Sequence, residues 1–186
     1  MASDQVVRKP LRVRERSGRT LDERISIRFP RLAAAGFRLL ARLPPTSRLR
    51  QAALWRGMRL AVEAYNRGDL AAASVGFHPD LEYHPYREFV EAGLTEACYH
   101  GPSGYIAYIT ATYEVWGDGV KLYPTELIDL GDRLVLLADM PMQAQASGIS
   151  LSEKYGSVMT VSDGEVIHVQ DYLSQAEALE AVGLSS

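Results

Sequence analysis

Two apolar-rich runs, Leu151 to Val161 and Val166 to Tyr172, flank the tetrapeptide Ser162-Asp163-Gly164-Glu165. Asp-Gly between β-prone runs predicts a hairpin with a type I′ turn. That turn needs φ > 0 at both central residues, which Asp and Gly adopt at low cost. The second run ends in Gln170-Asp171-Tyr172, and Ser174-Gln175-Ala176-Glu177 follows as a capping box that opens a short last helix. A carboxylate, Asp171, is thereby placed near the end of a strand that the rest of the chain must cover.

The hairpin has a second strand pair before it. Val120–Leu130, the turn Gly131-Asp132, Leu134–Ala146 and the turn Ser147-Gly148 lead into it, which predicts an antiparallel meander of four long strands. Leu134, Leu136, Ala138 and Met140 alternate with Val135 and Leu137, so this strand is apolar on both faces and both need cover. Helices supply one cover; a second copy of the chain is the natural other, so a homodimer is expected. Pro141 inside the strand marks a bulge or an edge.

Helical patterns come first in the chain. Thr46 or Ser47 caps a helix whose apolar face is Leu54, Met58, Ala61, Val62 and Tyr65, and Gly68 ends it in the left-handed region. Asp69 caps a short helix over Leu70–Val75. His78-Pro79-Asp80 reads as a turn, Leu81–Tyr86 as a short strand, Gly101–Gly104 as a loop, and Tyr105–Trp116 as a further helix. Helices, a short strand, a helix and then a meander is an α+β order. A cone-shaped, strongly curved, mostly antiparallel sheet with helices on its concave face would enclose a pocket.

Residues 1–47 read as a separate basic arm and 48–186 as the domain. Within the arm, 1–21 lack periodicity and are expected to be disordered. Arg31–Leu43 forms a short basic amphipathic helix, stopped by Pro44-Pro45. Residues 1–60 carry a net charge of +11 and residues 61–186 one of −14. Such an arm docks on its own acidic body or on a second subunit's, or makes a weak contact with an anionic membrane surface. A specific nucleic-acid partner is the least favoured reading.

Several classes are disfavoured. The single cysteine, Cys98, leaves no internal disulfide or cysteine-based zinc site. No apolar run spans a bilayer and no secretory leader is evident, so a cytoplasmic location is expected. There is no Gly-rich phosphate loop, nucleophile elbow or CxxC motif. His78, His84 and His100 with Glu82 or Asp80 match no ligand spacing, so neither metal nor cofactor is expected.

Asp171 is the first candidate for chemistry. It shares strand phase with the apolar Val169 and Ile167, which turns it inward, where burial would raise its pKa toward that of a working acid or base. Asp139, an acid amid apolar residues, would couple to Asp171 if the two faced each other. Tyr83, on the short strand, is a third candidate. Tyr65, Tyr99, Trp116, Met140 and Tyr155 are the candidate substrate contacts, since aromatics with one polar atom suit a flat apolar ligand. For each aromatic the ordinary alternative is a place in the core.

The motifs Tyr65-Asn66-Arg67-Gly68-Asp69, His78-Pro79-Asp80-Leu81-Glu82-Tyr83 and Tyr99-His100-Gly101 resemble the SnoaL-like branch of the nuclear-transport-factor-2-like superfamily. So do Glu126 to Val135, Ser147-Gly148, and Asp163-Gly164 through Tyr172 to Glu177-Ala178-Leu179. The resemblance spans about residues 48–183. It implies a cystatin-like cone with an internal pocket, usually a dimer, and acid–base chemistry without a cofactor. Asp171 matches the pocket aspartate of the limonene-epoxide hydrolases in that superfamily, and Tyr83 matches their water-positioning tyrosine. Pro85 and Leu137 replace the asparagine and arginine of that pattern, so the resemblance favours a single acid–base aspartate, as in the cyclases and isomerases. The expected function is binding, with isomerase or cyclase chemistry on an apolar polyketide-like or polycyclic substrate. The alternative is a non-catalytic ligand-binding or dimerisation module tethered by the arm.

Overall fold

The computed structural model describes residues 6–116, 120–143 and 150–185. Its elements in chain order are β1 (Val7–Pro10), α1 (Leu21–Arg28), α2 (Pro30–Ala41), α3 (Arg48–Asn66), α4 (Leu70–Ala73), β2 (Phe77–His84), α5 (Arg87–Glu91), β3 (Tyr99–His100) and α6 (Gly101–Trp116). Then follow β4 (Tyr123–Asp129), β5 (Arg133–Gln143), β6 (Ser150–Ser162), β7 (Glu165–Tyr172) and α7 (Gln175–Glu180). The described strands make one seven-stranded open sheet in the order β1-β4-β5-β6-β7-β2-β3. β4 to β7 form the expected antiparallel meander, and β2 joins β7 in parallel. The class is α+β.

The β6–β7 turn has φ of +50° at Asp163 and +82° at Gly164, as the Asp-Gly signal requires. Gly164 carries a second constraint: a Cβ there would lie 2.3 Å from the Phe37 carbonyl oxygen of α2. The turn is therefore the seat on which α2 rests. The expected turn at Ser147-Gly148 lies outside the described residues.

The two faces of β5 separate as alternation demands. Leu134, Leu136, Ala138 and Met140 join the main core beneath α3 and α6. Val135 and Leu137 join Ile128, Val158, Ala178 and Leu179 in a second cluster. The cover expected from a second subunit is thus supplied, at these residues, by α7 of the same chain. Gly156 allows the approach, since a Cβ on it would fall 2.5 Å from the Ala178 Cβ, and the Gln175 side chain donates to the Ala138 carbonyl at 2.9 Å. Pro141 sits at an edge, not a bulge. The β5–β6 register runs through it unbroken, while pairing with β4 ends at Asp139.

The disorder expected early in the arm is not what residues 6–21 adopt. β1 pairs with β4 from Val7↔Asp129 to Pro10↔Glu126, and Leu11 is buried in the main core. The fully buried Glu63 accepts a hydrogen bond from the Arg14 N–H at 3.0 Å and pairs with Arg16 at 3.2 Å. Arg19 pairs with Asp69 at 2.7 Å, and Arg67 with Glu23 at 2.6 Å. Thr20 and Glu23 form a reciprocal capping box that starts α1. Arg16 and Arg19 of the arm thus neutralise carboxylates of the body, and Arg67 of the body meets Glu23 of the arm. A further knot is Arg50, bonded to both oxygens of buried Asp129 and to the carbonyls of Ala41, Leu43 and Gly131. It holds α2, α3 and the β4–β5 turn together.

Two boundaries differ from the sequence expectation. α6 begins at Gly101, because Pro102 falls in the first turn, where its missing N–H is not needed. β2 begins at Phe77, and the expected turn at His78–Asp80 is absorbed as an irregularity of register between Phe77 and Glu82.

Candidate active site

A cavity of about 440 Å³ lies between the main-core face of the sheet and helices α1, α2, α3 and α6. Its exposed rim includes Asp22 and Arg56, bridged at 2.6 Å. Phe37 and Leu40 of α2 wall one side of it. Its deep end holds Tyr83, Tyr155, Ser157 and Asp171, all buried. Most of the remaining wall is aliphatic or aromatic.

Asp171 is placed there by β7, in register with Ser157 of β6. It is 3% exposed. Tyr155 donates its hydroxyl to one carboxylate oxygen at 2.8 Å, and Tyr83 donates to the other. Burial pushes the carboxyl up to about 6, and the hydrogen bonds from Tyr83, Tyr155 and Ser157 pull in the opposite direction without overcoming it. A carboxyl at that value is largely ionised at neutral pH and still basic enough to take a proton. Of the four lone pairs of the carboxylate, Tyr83, Tyr155 and Ser157 engage three and one is left over. Burial likewise pushes the Tyr83 and Tyr155 phenols well above their ordinary range, with the Asp171 charge adding to it, so both stay protonated donors.

Other phenols approach from the helices. Tyr65 of α3 and Tyr105 and Tyr108 of α6 line the cavity, and burial pushes all three upward. Among the described residues no hydrogen-bond partner meets the Tyr65 or Tyr105 hydroxyl. Trp116 and Met140 also line the cavity.

Two candidates from the sequence lie elsewhere. Asp139 does not face Asp171. It is on the opposite face of β5, opposite Lys154 in register and bonded to it at 2.7 Å. Its neighbours Ala138 and Met140 take the inward phase, so Asp139 points out. Tyr99 does not line the cavity. Its ring packs on Tyr108 at 5.1 Å, and its hydroxyl meets Thr95 at 2.8 Å. β3 is a two-residue strand beyond β2, and this distance from the sheet centre keeps Tyr99 outside.

Ser157, Phe37 and Leu40 also line the cavity and are not among the residues the sequence points to. Ser157 shares strand phase with Tyr155, a signal that was available; the α2 residues carry none, since their role rests on where α2 docks.

No protein-family model matches the sequence, and no curated protein matches it. Solved structures do. A nuclear-transport-factor-2-like protein of unknown function from Burkholderia pseudomallei is 25% identical, with a TM-score of 0.58, over 69% of this chain and 95% of that one. TerC, co-crystallised with polyporic acid, is 22% identical with a TM-score of 0.55, over 62% of this chain and 87% of its own. A protein described as a SnoaL-like polyketide cyclase from Jannaschia is 16% identical with a TM-score of 0.55, over 67% of this chain and 87% of its own. With the seven-stranded sheet, the helices above it and the cavity between them, these likenesses identify the chain as one of nuclear-transport-factor-2-like fold.

Proposed function

We propose that this protein binds a small, largely apolar molecule, polyketide-like or polycyclic, and acts on it as a cofactor-independent isomerase or cyclase. One observation carries the reading: a carboxyl held near 6 at the bottom of an apolar cavity large enough for such a ligand. Asp171 takes a proton from the carbon next to a ligand carbonyl. The C–H electron pair moves into the enolate, whose oxygen accepts a hydrogen bond from Tyr65 or Tyr105. Tyr83 and Tyr155 spend their hydrogen bonds on Asp171 and act as positioning residues. Asp171 then returns the proton to a different carbon (isomerisation), or the enolate carbon attacks a second carbonyl of the same ligand and Asp171 returns the proton to the alkoxide so formed (cyclisation). The low polarity of the cavity strengthens the hydrogen bond to the enolate as its charge develops. Among the neighbours, TerC holds polyporic acid and another is described as a polyketide cyclase, precedents for this ligand class on this fold.

The test is hydrogen–deuterium exchange at the carbon next to the carbonyl of polycyclic ketones in D₂O, followed by NMR. Asp171→Asn is expected to slow enzyme-dependent exchange by roughly 10²-fold or more, the scale for removing a general base. Equal exchange rates would end the catalytic role of Asp171. A competing reading, a non-catalytic ligand-binding module, is favoured by the engagement of both Asp171 oxygens by tyrosines. Tight ligand binding without exchange would select it.

The outer surface of the arm suits a weak contact with an anionic membrane. Leu21, Ile25 and Phe29 of the α1 region and Leu32 and Leu39 of α2 are exposed, interleaved with Arg24, Arg28, Arg31, Arg38 and Arg42. No described helix is long and apolar enough to cross a membrane.

A further inference from the structure

On the sheet face opposite the cavity, β2 and β7 bring together three side chains that play no part in the chemistry above. Glu82 and His84 are two residues apart on β2 and share a face. His168 of β7 lies in register with Glu82 across the parallel pairing. One ligand atom from each of the three lies within 4.8 Å of the others. The two imidazole rings are 4.8 Å apart and tilted by 34°. The His84 Nδ1 is 3.0 Å from the Ala97 carbonyl oxygen, which only accepts. The Nδ1 therefore carries the proton and the Nε2 lone pair is free, the arrangement that orients a histidine ligand to a metal.

We propose that Glu82, His84 and His168 form a binding site for a divalent transition metal of the zinc type. Two imidazoles and one carboxylate are a donor set that suits zinc and leaves a fourth position open. Ligand atoms around a tetrahedral ion with bonds of about 2.1 Å sit roughly 3.4 Å apart. Closing from the present spacing asks for about 1 Å of side-chain movement. Glu82 is exposed and His84 and His168 are half-buried, so rotation of Glu82 supplies much of it. The sequence hid this cluster, because His168 is far from the other two in the chain and arrives only through the parallel pairing of β2 with β7.

The consequence lies on the other face. Tyr83 sits between Glu82 and His84, and Asp171 is three residues beyond His168. An ion shared by β2 and β7 cross-links the two strands that carry the Tyr83–Asp171 hydrogen bond. It is a clamp behind the site, not a participant in the chemistry.

The experiment is titration of the full chain, free of any histidine tag, with ZnCl₂ by calorimetry. Histidine side-chain NMR is followed in parallel. One ion per chain with a micromolar or tighter Kd is expected, together with a raised Tm. His84→Ala and His168→Ala should each weaken binding at least tenfold. His78→Ala should not change it. Zinc should shift the ring signals of His84 and His168 and leave those of His78 unmoved, a readout that does not depend on variants folding. Binding weaker than about 100 µM, binding kept in both histidine variants, or shifts confined to other histidines would each overturn the proposal.

Discussion

Asp171→Asn has a consequence for stability that can be worked from the site. The native carboxyl is held near 6, and in the unfolded chain it returns to about 4. Between about pH 4 and pH 6 the native state keeps a proton that the unfolded state has released. Stability from this group therefore falls as pH rises through that window and stays lowered above it. Two pKa units correspond to about 3 kcal/mol at pH 8. Asparagine cannot ionise and escapes this loss. It also has to satisfy two phenols with one oxygen and one NH₂ group, at a cost of about 1 kcal/mol for an imperfect bond. The variant should be slightly less stable than the native protein at pH 4 and about 2 kcal/mol more stable at pH 8. Urea unfolding of both proteins at one-unit steps between pH 4 and pH 8 measures the difference. A difference constant across that range would refute the argument. A difference of opposite slope would mean that the tyrosine hydrogen bonds outweigh burial and hold the carboxyl below its ordinary value.

Other perturbations test the frame around the site. Gly164→Ala meets both a φ of +82° and the Phe37 carbonyl, so it should lower stability by roughly 1–3 kcal/mol in denaturant unfolding; a loss under about 0.5 kcal/mol would mean that α2 is not seated on the turn. A chain starting at Thr46 removes β1, Arg14 and Arg16 and leaves Glu63 buried without those partners; thermal unfolding should show a loss of several kcal/mol, and an unchanged Tm would show the arm to be dispensable. Full-length protein should bind anionic vesicles in low salt and release them as salt rises; equal binding to neutral vesicles would refute a role for the α1 and α2 arginines.

Much of the fold was legible because its signals are local. The Asp-Gly turn, the Ser47 and Asp69 caps, the left-handed Gly68 and the inward phase of Asp171 each depend on a few adjacent residues. Asp139 was misread although the same rule applied to it: next to Met140 on one strand, both cannot point inward. Contacts between distant segments were not legible. Tyr155 reaches Asp171 only once the β6–β7 register is fixed, and β1 finds β4 across more than a hundred residues. The Thr20–Glu23 capping box was a readable signal that the arm's lack of apolar period obscured.

The cross-sheet placement of the arm also sets an order of events during synthesis. Arg8 of β1 and its partner Glu126 of β4 are separated by 118 positions, and Tyr83 and Asp171 by 88. At about 5–20 residues per second, β1 leaves the ribosome roughly 6–24 s before the strand that will hold it. Over that interval Arg8 has no Glu126 to meet, and the tyrosine on β2 waits almost as long for its aspartate. Helix pairs made early can form while translation continues, but neither pairing can precede its later strand. A ribosome stall before β7 would therefore leave a nascent chain with helices formed and its cavity unfloored, a state for chaperones to recognise.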